Sequence, residues 1–302
     1  MRGSKTNLIL GGMIIVLMIL AFSACKKSTE PTTNLDKDAI LRLVAEDDST
    51  FSTDVIDTAS HDADTGALAK VTAVDSIRFF WRKIISRTRT VNVSIYPADS
   101  TCPYPYAYVT VIDTLYGELH ILGKDDYGYK IHLVKPLTDE AIKSAYFVKI
   151  GNNEDPYRGW RIEGISGLLS HSVPTCTRTI NQLHLVSPGY DVIFTEEDIT
   201  GITLRDSLLT FDIDDSVTLT VTTADNTDSV YLHAPSYNCR PHRRSFTNNG
   251  DGTFTITLPV DDMYGAYGWH HFAVDVIKHS TLDGDDAYDS RIWGLVYRVT
   301  QP

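Results

Sequence analysis

Three groups of residues have types and spacing that could do chemistry. The first is acidic: Asp225, Asp228, Asp251, Asp283, Asp285, Asp286 and Asp289. Hard cations prefer oxygen-rich sites of this kind, so calcium is the ion the set would take. The run 283–289 lacks the turn glycine of an EF-hand loop, and surface carboxylates that keep a chain soluble are the commoner use of such residues. The second group is Asp113, His120 and His132. A carboxylate or an isolated imidazole can act as a general base. However, His120 shares strand parity with Glu118, and His132 with Lys130. Both imidazoles are therefore expected on a solvated face, with no second catalytic group set beside them. The third group is Tyr104, Tyr106 and Tyr108, a period-2 stripe. Aromatic faces with polar tips suit sugar stacking, although a packed sheet edge is the commoner use of such a stripe.

Other chemistries find no motif. The sequence has no His-Glu-x-x-His, no Walker A loop, no Gly-x-Gly-x-x-Gly and no Cys-x-x-Cys. Gly164-Ile165-Ser166-Gly167 is followed by Leu168 where a nucleophile elbow needs glycine. His270 and His271 are adjacent on an expected strand, so they point to opposite faces and cannot share one ion.

The elements that must position these residues divide in two. Over 36–46, Ile40, Leu43 and Val44 mark an apolar helical face behind Asp36 as N-cap. Residues 55–72 are polar and read as a loop or a weak helix. Asp75 then opens a second expected helix, because Ile77, Phe80, Trp81, Ile84 and Ile85 fall at i, i+3, i+4, i+7 and i+8. Strand patterns follow at 90–96, 104–115, 118–122, 129–134, the end of 139–151, and 160–167, with Gly117 read as a break. From residue 189 the helical period disappears. Seven short strand patterns recur: 207–211, 216–223, 229–234, 243–246, 253–258, 269–277 and 291–299. Asn248-Asn249-Gly250-Asp251-Gly252 is a strong hairpin signal.

The N-terminus has the layout of a secretory signal: Arg2 and Lys5, an apolar run 8–20, then small residues before Cys25. Its removal at residue 24 takes the formal charge from −12 to −14. So acidic a chain repels nucleic acid and anionic lipid headgroups. Cys102, Cys176 and Cys239 remain besides Cys25, so at most one disulfide forms and one thiol stays free.

Phe22-Ser23-Ala24-Cys25 resembles the bacterial lipobox, with Phe22 where a leucine is usual. The resemblance implies a diacylglycerol thioether on Cys25, an acylated (palmitate-type) N-terminus and a membrane anchor. Lys26, rather than Asp, follows the cysteine, which leans towards the outer membrane of a Gram-negative bacterium. Residues 25–35 read as a polar tether. Two helices followed by a curved antiparallel sheet, closed by Trp160-Arg161-Ile162-Glu163-Gly164-Ile165-Ser166-Gly167, resemble the NTF2-like cone, a cystatin-like α+β fold. It implies a pocket between helix and sheet that Trp81 and Phe80 would line, and an enzyme acting there on a small apolar ligand is one possible use. The seven later strands resemble an immunoglobulin-like or fibronectin-like sandwich. The expected organisation is thus a signal (1–24), a tether (25–35), an NTF2-like domain (36–170), a linker (171–188) and an Ig-like domain (189–302). The leading functional expectation is a non-enzymatic envelope lipoprotein that binds or scaffolds a protein or glycan partner.

Overall fold

The computed structural model describes residues 30–53, 56, 76–125, 127–235, 241–263 and 268–300. The signal segment, Cys25, most of the 55–72 loop and Cys239 lie outside them. The described chain is dominated by strands: β1 (Ser76–Tyr96), β2 (Tyr106–Lys124), β3 (Lys130–Lys149), β4 (Trp160–Ile165), β5 (Leu168–Ser172), β6 (Ile180–Ser187), β7 (Tyr190–Phe194), β8 (Thr203–Leu204), β9 (Leu209–Asp212), β10 (Ser216–Thr223), β11 (Ser229–Pro235), β12 (Pro241–Ser245), β13 (Thr247–Asn248), β14 (Thr253–Pro259), β15 (Gly268–Ile277) and β16 (Ser290–Thr300). Four helices accompany them: α1 (Glu30–Glu46), α2 (Asp48–Phe51), α3 (Glu196–Thr200) and α4 (His279–Asp283).

The expected NTF2-like cone followed by a separate Ig-like domain is overturned. The segment read as a second helix is the first half of β1, a strand of 21 residues. The misreading has a physical cause. Phe80 and Arg82 are buried on one side of β1, while Trp81 is buried on the other. A strand covered on both faces loses its alternation, and a short apolar run then cannot be told from a helix by period. The aromatic and β-branched content of Phe79-Phe80-Trp81 and Ile84-Ile85 favours a strand. Without that helix the expected pocket between it and the sheet has no counterpart among the described residues.

β1, β2 and β3 form an antiparallel meander whose strands run without interruption. The 19 residues of β2 extend roughly 60 Å at about 3.3 Å each. Gly117 does not break β2. It lies opposite Ile84, where β1 slips register between Ile84 and Ser86. A Cβ at Gly117 would stand 2.2 Å from the Lys83 carbonyl oxygen, so the glycine permits the bulge.

The meander is continuous with the later strands. One sheet runs β1-β2-β3-β5-β16-β15-β11-β12, with β4, β8 and β9 attached to it. A second sheet runs β13-β14-β10-β6-β7. All pairings are antiparallel except β9 with β16. Segment 171–188, expected as a linker, contains β6, which pairs with β10 inside the second sheet. The expected Asn-Gly/Asp-Gly hairpin joins β13 to β14, with Gly250 and Gly252 both at φ 86°.

Both sheets enclose a core of Leu183, Leu185, Phe211, Leu219, Phe254, Phe272, Trp293 and Tyr297 among others. The larger sheet also coils back on itself. Its end strands meet where Arg243 of β12 donates to the Phe80 carbonyl of β1, and Tyr231 packs edge-on against Phe80 at 4.9 Å. The coil encloses Phe80, Leu119, Ile121, Ile277 and Tyr288. Farther along the meander the inner face is covered by α1, through Ala39, Ile40, Leu43 and Val44 against Val109, Phe147 and Trp160. α1 begins at Glu30, before the expected N-cap Asp36.

Candidate binding surface

The outer face of the meander carries the tyrosines. Inward positions of β2 are Ala107, Val109 and Val111, all buried; the alternate positions Tyr106 and Tyr108 therefore face out. Tyr106 pairs across the sheet with Tyr96, and Tyr108 with Tyr146. The four rings form a cluster: Tyr96 stacks on Tyr106 at 5.2 Å and 15°, and Tyr108 lies 5.3 Å from Tyr146. Tyr106 meets Tyr108 edge-on at 6.0 Å. Tyr96, Tyr104 and Tyr108 are 42%, 44% and 48% exposed, which is high for large aromatic side chains. The sequence stripe thus yields Tyr106 and Tyr108, with Tyr104 in the preceding loop. It misses Tyr96 and Tyr146, which only cross-strand register brings in. Tyr96 was within reach, because Val91, Val93 and Ile95 assign it to the opposite face.

The loop between β1 and β2 is tied to this cluster. The Asp99 carboxylate accepts from the Tyr106 hydroxyl (2.8 Å), the Thr101 hydroxyl and the backbone N–H groups of Thr101 and Cys102. These bonds hold Asp99 well below the usual carboxylate range. The bond to Asp99 pushes the Tyr106 hydroxyl up to about 12, and burial likewise raises Tyr146. Both rings therefore stay neutral over the physiological range.

Trp81, His120 and His132 share this outer face at its other end. Trp81 stacks on His120 at 4.6 Å and 8°, and His120 Nδ1 lies 3.0 Å from His132 Nε2. Burial lowers both imidazoles, His120 further by its neighbour, so both are neutral near pH 7. The 12 to 14 residues between Tyr106/Tyr108 and His120 separate the two patches by roughly 40 Å, so one small ligand cannot touch both. Asp113 lies on the opposite, inner face, where Arg89 grips both its oxygens at 2.7 Å. His120 and His132 are thus set side by side, with a Glu118 oxygen 3.2 Å from His120, against the expectation that nothing titratable stands beside them, while Asp113 is kept apart on the other face.

The acidic set is likewise divided. Asp225, Asp228 and Asp289 converge on Arg178, at 3.3, 2.5 and 3.6 Å, so a guanidinium occupies the centre of that group. Asp251 caps its own turn at Thr253, Asp283 meets His279, and Asp286 meets Lys278 and Ser280. Asp285 lines a shallow depression beside Lys135. Among the described residues no set of three or more His, Cys, Asp or Glu is placed to hold a metal ion. His270 and His271 do face opposite ways: His270 approaches Tyr297 in the core, and His271 lines a small recess with Asp47 and Val296. Ser166 is buried between β4 and β5, where it accepts from the Ser144 N–H and donates to the Gly167 carbonyl. Cys102 and Cys176 are free thiols.

Two arrangements were not legible beforehand. Inside the coiled sheet, Arg82 donates to both oxygens of Asp275 (2.5 and 2.9 Å), to Tyr288 and to Ser290. His233 meets the same carboxylate at 2.9 Å, and Tyr288 donates to Asp139. These groups are fully or almost fully buried. Near α1, Tyr157 and Arg158 adopt left-handed conformations at φ 50° and 56°. That turn directs the Tyr157 hydroxyl to Glu46 and Arg158 Nε to Asp36, which also accepts from Lys149 at 2.8 Å. A cleft of about 380 Å³ opens beside Tyr157, Glu46 and Arg205. No protein-family model matches the chain, and no curated protein is significantly similar to it.

Proposed function

We propose that this chain is a lipid-anchored envelope protein of a Gram-negative outer membrane, acting as a non-enzymatic binding or scaffolding module. The observation that carries the reading is the solvent-facing tyrosine cluster mounted on the three-stranded meander. Its rings are held by cross-strand pairing and by Asp99, and a contact surface needs such preorganisation. The buried charges offer no access to a substrate, and the histidine pair and Asp113 lie on opposite faces. Anchoring rests on Cys25 and the residues before it. Several acyl chains on one residue anchor stably, whereas one binds only marginally.

Cys25→Ser tests the anchor. Fractionated cells should release the variant in soluble form or hold it with its signal uncut, while the wild type sediments with outer membranes. A processed variant that still sediments with membranes would overturn the reading.

A further inference from the structure

We propose that the tyrosine-bearing end of the meander lies against the bilayer that holds the anchor, with Tyr96, Tyr104, Tyr106 and Tyr108 at headgroup depth. The inference rests on the lipoprotein reading and names the partner of the same surface. It comes from the course of α1. Asp36 is fixed at this end, because it accepts from Lys149 and Arg158, and Lys149 donates its backbone N–H to the Pro105 carbonyl. From there the chain runs away from the tyrosines. Lys143, farther along β3, reaches the Thr50 and Ser52 carbonyls, and Arg89 reaches that of Phe51. The start of α1 therefore projects towards or past the tyrosine end, not towards the Trp81 end.

The geometry then limits where the membrane can be. Six helical residues separate Glu30 from Asp36, about 9 Å of rise. Five residues separate Cys25 from Glu30, at most about 18 Å even when fully extended. An acylated Cys25 thus cannot stand more than roughly 27 Å from Asp36 along the chain, less than half the length of β2. The tyrosine end is the part of the meander nearest the bilayer.

The surface chemistry suits that position. Tyrosine places an apolar ring and a polar tip at a membrane–water interface. The cationic side chains beside it, Lys149 and Arg158, share the Asp36 carboxylate, and the chain is acidic overall. Attraction to anionic lipid is therefore not the driving term, and zwitterionic headgroups suffice. The anchor supplies affinity, and the tyrosines set orientation.

The loop thiol Cys102 provides a probe at this end, and Tyr127, 85% exposed at the β2–β3 turn, marks the far end. The acylated full-length mature protein carrying Cys176→Ser and Cys239→Ser is spin-labelled at Cys102 and reconstituted in phosphatidylcholine vesicles. A second preparation carries Cys102→Ser and Tyr127→Cys and is labelled at residue 127. The label at 102 should lose accessibility to a water-soluble nickel chelate several-fold on reconstitution, and the label at 127 should not. Tyr106→Ser with Tyr108→Ser should restore access at 102 without releasing the protein. Equal accessibility at both sites in anchored protein would overturn the orientation and leave the lipoprotein reading standing. Protection at 102 that appears only with added envelope polysaccharide would overturn it in favour of a glycan platform. Absence of acylation at Cys25 by mass spectrometry would instead defeat the underlying reading.

Discussion

At the residue scale, the informative side chains are those whose environment opposes their charge. Burial alone would raise Asp275, but the bidentate Arg82 guanidinium overrides it and holds the carboxyl well below the usual range. Asp139 lies in the same interior without a bidentate partner. There burial dominates and pushes its carboxyl up to about 6, although Arg82 and Tyr288 pull the other way. The sign follows from linkage. A carboxyl raised in the folded state weakens folding once ionised, and the penalty is relieved as pH falls from about 6 towards the ordinary value of 3.8. Asp275 has the opposite sign, and its contribution is lost only at pH values below that window. Asp139→Asn should therefore remove a stability gain that the wild type shows on acidification from about pH 7 to about pH 4.5. Urea midpoints at the two pH values measure it. An unchanged difference between the midpoints would mean that Asp139 does not titrate in this range.

At the element scale, the long strands depend on a few local devices. The β1 bulge at Ile84/Ser86 exists because Gly117 leaves room for the Lys83 carbonyl. A side chain there meets backbone, which cannot rotate away. Gly117→Val should therefore destabilise by about 1–3 kcal/mol, the usual range for overpacking. It should also shift the register of β1 beyond the bulge. Amide exchange should then speed up along 76–83 more than along 90–96; uniform acceleration would show that the bulge is not the point of strain. The left-handed pair Tyr157–Arg158 is a second device. Such conformations cost on the order of 1–3 kcal/mol each; here the pair aims two side chains at α1, and so fixes the helix against the tyrosine-bearing end.

At the scale of the whole molecule, the expected division near residue 170 is crossed by structure at every level. β3 pairs with β5, and β5 with β16, so hydrogen bonding passes from the meander into the sandwich. Arg82 of β1 grips Asp275 of β15, and Lys135 of β3 donates to the carbonyls of Thr281, Gly284 and Asp286. Two independently folding units would have to strand these buried charges on separation, at a cost of several kcal/mol. Calorimetry of the mature chain should accordingly show one unfolding transition with calorimetric and van't Hoff enthalpies in agreement. Two resolved transitions would contradict the shared core.

The sequence by itself determined seven strands of the second half, among them β10 on the expected 216–223, and the hairpin at Gly250 and Gly252, but not β7 or β8. Both are local. Alternation survives where one face is solvated, as along β10; β15 and β16 are buried on both faces but rich in β-branched and aromatic residues; and the turn glycines are required by φ alone. The outward parity of His120 and His132 was legible from alternation within β2 and β3, although Trp81 covers the outer face at that point. Only the tertiary structure decided that 76–85 is a strand, that 171–188 holds β6, and that the two halves share one coiled sheet. Those outcomes depend on what covers each face from far away in the chain. The coil buries Phe80 and Arg82 on the inner side of β1, and Trp81 packs against His120 and His132 on the outer side, so buried residues fall on both faces there and the period from which the state of 76–85 would be read is lost. The tyrosine surface belongs to both kinds. Tyr106 and Tyr108 are set by alternation within β2, whereas Tyr96 and Tyr146 join them through pairing between strands, which no spacing along the chain encodes.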